Sequence, residues 1–148
     1  MKHIAAALTA LSVVFAAGSV SAAGPVSSAQ AVAMAGDAAK GKRVFNSCRA
    51  CHSLAAGVSK IGPSLNGIFG RTAGTWKAKG SSKVWRFSPA MKKAGKGDKP
   101  VVWTAETLKK YLTNPKKFIP GNRMPFPGFK KKVAKTDNLI AYLKKATK

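Results

Sequence analysis

Both cysteines of the chain, Cys48 and Cys51, lie in the stretch "NSCRACHS" beside His52, one of only two histidines. Two thiols and an imidazole at this spacing suit four chemistries: a structural disulfide, a zinc clamp, a redox dithiol, or an anchor for a covalent prosthetic group. A Cys48–Cys51 disulfide would close a tiny loop within a helix and staple nothing. Structural zinc wants four N or S ligands, whereas the chain beyond the N-terminal His3 offers two thiols, one imidazole and four carboxylates. A thioredoxin-like dithiol sits beside a βαβ pattern, and none is visible. Ligand arithmetic therefore leaves attachment.

C-x-x-C-H is the signature of covalent haem attachment. Two thiols one helical turn apart can each add to a porphyrin vinyl group, and the adjacent histidine then lies under the ring to ligate iron. The second axial position needs another donor. His3 falls in a segment read below as removed, so bis-histidine ligation is excluded and the methionines Met34, Met91 and Met124 remain. Met34 lies in a featureless leader, and Met91 follows Pro89 where packing is its expected role. Met124 sits in "PGNRMPFPG", braced by Pro120, Pro125 and Pro127, as a weak thioether–iron bond requires. It is the expected axial ligand.

The elements that must hold these residues are helical. Asp37 can cap a helix beginning "GDAAKGKRVFNSCRACH", with Val44, Phe45 and Cys48 on one face. Gly41 inside it costs roughly 1 kcal/mol relative to Ala, which suggests that another backbone comes close. "KIGPSLNGIFGRTAG" is irregular. "SSKVWRFSPAMKKAGKGDKP" is a basic loop with one helical turn at 89–94. "TAETLKKYLTNP" predicts a helix capped by Thr104, with Leu108, Tyr111 and Leu112 as its stripe and Pro115 preventing continuation. "NPKKFIPGNRMPFPGF" holds four prolines and reads as a stiff loop without helix. "TDNLIAYLKKATK" predicts a terminal helix capped by Thr136, with Leu139, Ile140, Tyr142 and Leu143 inward. No repeat and no strand emerge. Three helices and long loops with few large apolar residues make a small core, which needs a filler.

The N-terminus reads as an export signal: Lys2, the apolar run "IAAALTALSVVFAAG", then small residues and a cleavage site near Ala22. An uncleaved anchor is the alternative, because residues 4–20 approach the length of a bilayer span. The organisation expected is a signal peptide over 1–22, a flexible leader over 23–35 and one domain over 36–148. Lysine and arginine number 27 against four acidic residues, a net charge of +23. Such a surface seeks acidic proteins, polyanions or anionic headgroups. It lacks the interleaved aromatics of a nucleic-acid binder, and export makes nucleic acid an unsuitable partner.

With CxxCH first, then "IGPSLNGIFGR", "TLKKYLTNPKKFIPGNRMPFPGFKKK" and "LIAYLKKA", the chain from about Gly36 to Lys148 resembles a class I cytochrome c of the mitochondrial-like, soluble bacterial kind. The resemblance implies an all-α fold, three main helices and long loops wrapped around one haem c bound covalently through Cys48 and Cys51. It implies axial His52 and Met124, a Pro63 carbonyl accepting from the His52 ring, Arg71 and Trp103 bonding a buried propionate, and Tyr111 bonding near the Met124 sulfur. Gly41 and Phe45 would pack against Leu139 and Tyr142. Phe87 stands where a propionate-bonding Tyr is common, Asn122 replaces a common Thr, and the stretch between Phe87 and Trp103 is longer and lysine-rich. The function implied is a non-enzymatic, monomeric periplasmic electron carrier. Lys60, Lys116, Lys117, Arg123 and Lys130 would dock it weakly onto acidic redox partners. Competing classes are a haem enzyme or gas sensor whose Met124 dissociates, and a polyanion binder that merely carries haem.

Overall fold

The computed structural model describes residues 36–147; the expected signal peptide, the leader and Met34 lie outside them. Among the described residues five helices follow in order: α1 (Ala38–Phe45), α2 (Pro89–Ala94), α3 (Ala105–Thr113), α4 (Pro115–Phe118) and α5 (Val133–Ala146). Long loops join them. Among the described residues, β-pairing is limited to two isolated bridges, Thr72 with Val102 and Lys77 with Val84.

Local chemistry explains the helix starts. The Asp37 carboxylate accepts from the Ala39 and Lys40 N–H groups at 2.8 and 3.0 Å and so caps α1, as the sequence suggests. The Lys40 N–H foremost holds that carboxyl below its usual range. Thr104 caps α3 in a reciprocal box with Thr107, two short hydroxyls satisfying two backbone donors. Ser88 caps α2 through the Met91 N–H, with Pro89 entering the first turn, where its missing N–H is no loss.

Three expectations are corrected. First, α1 stops at Phe45, and the attachment motif lies in the run of turns beyond it, held by Cys48 N–H to Phe45 O (2.8 Å) and His52 N–H to Cys48 O (2.9 Å). Second, the proline-rich stretch does contain a helix. Pro115 opens α4 and the Asn114 side chain accepts from Lys117 N–H at 3.1 Å, so the residue that ends α3 starts the next turn. Third, Thr136 does not cap α5. The chain docks on the end of α3 through Phe129 N–H to Leu112 O and Lys130 N–H to Thr113 O, and turns through a left-handed Lys130 (φ 47°). The helix therefore begins four residues earlier, and Thr136 is fully buried within it.

The core centres on α1 against α5, with α3 alongside α5. Phe45 meets Tyr142 at 5.5 Å between ring centroids, and Leu139, Ile140 and Leu143 are buried beside Leu108, Tyr111 and Leu112. Asn138 of α5 accepts from the Asp37 N–H at 2.7 Å, and Lys109 pairs with Asp137 at 2.7 Å. Gly41 lies where the helices touch: a Cβ there would overlap the Asn138 carbonyl and come within 2.7 Å of Tyr142 Cβ. The obstacle is mostly backbone and cannot swing aside. Gly41→Ala should therefore destabilise the fold by about 2 kcal/mol or more in denaturant unfolding, although helix propensity alone would favour Ala by roughly 1 kcal/mol. A more stable variant would remove the close helix crossing.

Candidate functional site: a haem pocket

Behind α1, α3 and α5 a cavity of about 490 Å³ opens, within the ~300–1,000 Å³ range of cofactor sites. Cys48, Cys51, His52, Pro63, Arg71, Trp103, Tyr111 and Met124 all line it. Every site residue expected from the sequence thus reaches one wall-to-wall space, although they span 77 positions of chain.

The first wall comes from the turns after α1 and the loop to Ser64. Both cysteines are unbridged and half-buried, and burial pushes the Cys48 thiol up. His52 Nδ1 lies 2.8 Å from the Pro63 carbonyl. A carbonyl can only accept, so Nδ1 carries the hydrogen and Nε2 keeps its lone pair. Burial also pulls the imidazole below its usual pKa, and the Pro63 bond opposes this. Gly62 is required beside the ring, because a Cβ there would fall 2.5 Å from His52 Cε1. Ser64, with no exposure, donates to Ala55 O at 2.7 Å and accepts from Asn66 N–H, fixing the loop that presents Pro63.

Arg71 donates to the Ser64 carbonyl at 2.9 Å and to the Asn66 carbonyl. Its guanidinium is thus tied to the same loop while lining the cavity, and burial lowers its pKa to about 10. A half-buried cation in a wall without carboxylates calls for an anion. Trp103 is buried, 5.0 Å from Tyr111 between ring centroids.

The opposite wall is the loop after α4. Tyr111 O–H donates to Asn122 Oδ1 at 3.4 Å and approaches Met124 Sδ at 3.8 Å. Burial pushes the phenol up to about 12, so it remains a neutral donor at physiological pH. Asn122 is the residue whose role sequence reasoning missed. Its amide donates to the Pro115 and Ile119 carbonyls, both at 2.9 Å, while Oδ1 accepts from Met124 N–H at 3.1 Å. One side chain thereby ties the methionine to both ends of α4. The signal was legible as an Asn two residues ahead of Met124, the spacing of an Asx turn.

Other wall residues, Ile61, Trp85 and Arg86, also went unassigned in the sequence, while Met91, expected to pack, lines the wall as well. Ile61 is 74% exposed at the edge of the cavity, an isolated apolar residue that no periodicity marks. Of the five expected docking cations, Arg123 lines the cavity and Lys60 adjoins it through Ile61; all five are exposed. Among the described residues, no three of His, Cys, Asp and Glu converge to hold a metal ion directly.

Comparison with known proteins agrees with this geometry. Residues 38–147 match the Cytochrome c family, and the chain belongs to it. It is 48% identical over 109 residues to a cytochrome c2 of Agrobacterium tumefaciens, covering 73% of this chain and 90% of that one. It is 46% identical over 119 residues to a cytochrome c of Chlamydomonas reinhardtii, covering 79% and 96%. Cytochrome cH from Methylobacterium extorquens superposes with a TM-score of 0.61 at 40% identity, covering 74% and 99%. The protein is a class I c-type cytochrome, an all-α fold for single-electron transfer with one haem c bound covalently through Cys48 and Cys51. The residues present fit that group: two free thiols, an imidazole with its tautomer set, a largely apolar cavity and a half-buried arginine share one space.

Loss of the Asn122 clamp isolates the part of the pocket built by the Met124 loop. Asn122→Ala should accelerate amide exchange at Met124 about tenfold, equivalent to roughly 1.4 kcal/mol for the lost bonds, while exchange in α1 stays unchanged. An unaltered Met124 rate would show that the prolines alone hold the loop.

Proposed function

We propose that the protein is a soluble, monomeric periplasmic carrier in which His52 and Met124 are the axial ligands. The observation that carries this reading is the pairing of a tautomer-fixed imidazole with a methionine clamped by Asn122 and Tyr111 across one cavity. When bound, the haem supplies a one-electron Fe(II)/Fe(III) couple, which thioether ligation and burial shift toward the reduced state.

The chain's own residues do the rest. Pro63 orients the imidazole and strengthens its donor nitrogen. Tyr111 and Asn122 keep the thioether in place through both oxidation states. Trp103, Leu108, Leu139 and Leu143 exclude water from the ring. Rigid walls limit the rearrangement that accompanies each electron. The Arg71 and Trp103 side chains serve a buried propionate. Lys60, Lys116, Lys117, Arg123 and Lys130 surround the exposed edge and steer acidic donors and acceptors into short-lived complexes. Residues 1–22 are the cleaved export signal and 23–35 the leader; among the described residues no helix is long and apolar enough to cross a membrane.

Met124→Ala should lower the midpoint potential and let the ferric protein bind cyanide readily, followed by potentiometric titration and absorption. An unchanged potential would remove Met124 from the iron. The bimolecular rate with an acidic redox partner should fall about tenfold or more as salt rises from about 10 mM to 200 mM. A flat salt profile in stopped flow would sink docking through lysines.

A further inference from the structure

We propose that Arg86 is a second cationic anchor for the haem propionates, opposite in origin to Arg71 and absent from the roles assigned above. The proposal rests on reading the cavity as the haem pocket.

Three arginines line that cavity, Arg71, Arg86 and Arg123, and no side-chain carboxylate does. The four acidic residues all lie elsewhere: Asp37 and Asp137 pair with Lys40 and Lys109, and Asp98 and Glu106 are not in the wall. Arg86 has no carboxylate within ion-pair reach among the described residues. Its guanidinium instead stands 5.3 Å over the Trp85 ring. The cation–π contact restrains where the guanidinium sits without using its hydrogen-bonding capacity on an acidic partner.

The support beneath it is specific. Trp76 is buried and meets Trp85 edge to face at 5.8 Å and 67°. Trp85 N–H donates to Trp76 O at 2.8 Å, and Phe87 N–H donates to Trp85 O at 2.7 Å. Arg86 is thus the centre of a three-residue turn, the tightest the backbone makes. Trp76 holds Trp85, and Trp85 holds Arg86.

The cofactor's chemistry supplies the need. A haem carries its vinyl groups on one edge and its two propionates on the other. With Cys48 and Cys51 taking the vinyl edge, the carboxylates fall to walls built by other segments. Arg71 already gives donors to two carbonyls, and Arg123 belongs to the loop of Met124. Phe87 lines the cavity with a side chain that cannot donate a hydrogen bond. Arg86, one residue before it and exposed, provides the one positive charge of the 85–88 segment, beside the neutral donors of Trp85 and Ser88.

Potentiometric titration of the holoprotein tests the assignment, with the parent, Arg86→Gln and Arg86→Lys compared at one pH and salt. An uncompensated propionate favours the ferric centre, so R86Q should lower the midpoint, with the equilibrium constant for reduction falling about threefold or more. R86K should recover part of that loss, which a purely structural role for the side chain would not produce. An R86Q midpoint equal to the parent's would overturn the proposal, and slower reaction with an acidic partner in that same variant would make Arg86 a docking residue. The pyridine haemochrome spectrum of the parent separates the two levels: without a two-thioether haem the pocket reading itself fails, whatever Arg86 does.

Discussion

A cavity at the centre of so short a chain is the constraint on which the structure depends. Trp103, Leu108, Tyr111, Leu112, Leu139 and Leu143 are buried, yet they border the cavity as much as one another. Their apolar surface is worth burying only against a large apolar guest, at about 25 cal/mol per Å². The helices are therefore walls before they are a core. Gly41 follows from the same constraint: with the middle reserved, α1 and α5 must meet at backbone distance to leave the chain any protein–protein core of its own.

Around that space, short polar side chains do the positioning. Ser64 fixes the loop that carries Pro63, Pro63 fixes the His52 ring, and Asn122 fixes Met124 through both ends of α4. Each bond contributes only about 0.5–1.5 kcal/mol net, too little to define the fold. What they define is direction. The His52 ring and the Met124 side chain are thereby aimed into the cavity before anything occupies it, by groups that are paired in the folded chain.

The sequence made the chemistry more legible than the architecture. Counting thiols and imidazoles was enough to select attachment over zinc, because ligand number is a property of composition. The Met124 loop announced itself through its prolines, and Gly41 through its propensity cost. Helix boundaries were harder. Thr136 looks like a cap by residue type, but docking of residues 129 and 130 on α3 starts α5 sooner and buries it, with its hydroxyl unpartnered. Pro115 reads as a stop, yet the same ring is well suited to a first turn, so it ends α3 and opens α4. Asn122 and Arg86 were missed because their roles depend on groups they meet only after folding: two carbonyls of α4, and the face of a tryptophan.

Charge divides the molecule along the same line. The surface is overwhelmingly basic, but the cations that enter the cavity wall are all arginines. A lysine ammonium is compact and strongly hydrated, suited to steering through solvent, whereas a guanidinium tolerates partial burial and presents a planar fork. Cations of the open surface and the half-buried Arg71 of the wall therefore have separate electrostatic tasks that a count of +23 lumps together. The outer charges act through water and fade with salt. Arg71, half-buried in the wall, is screened less, so its charge bears more directly on a charge held in the cavity.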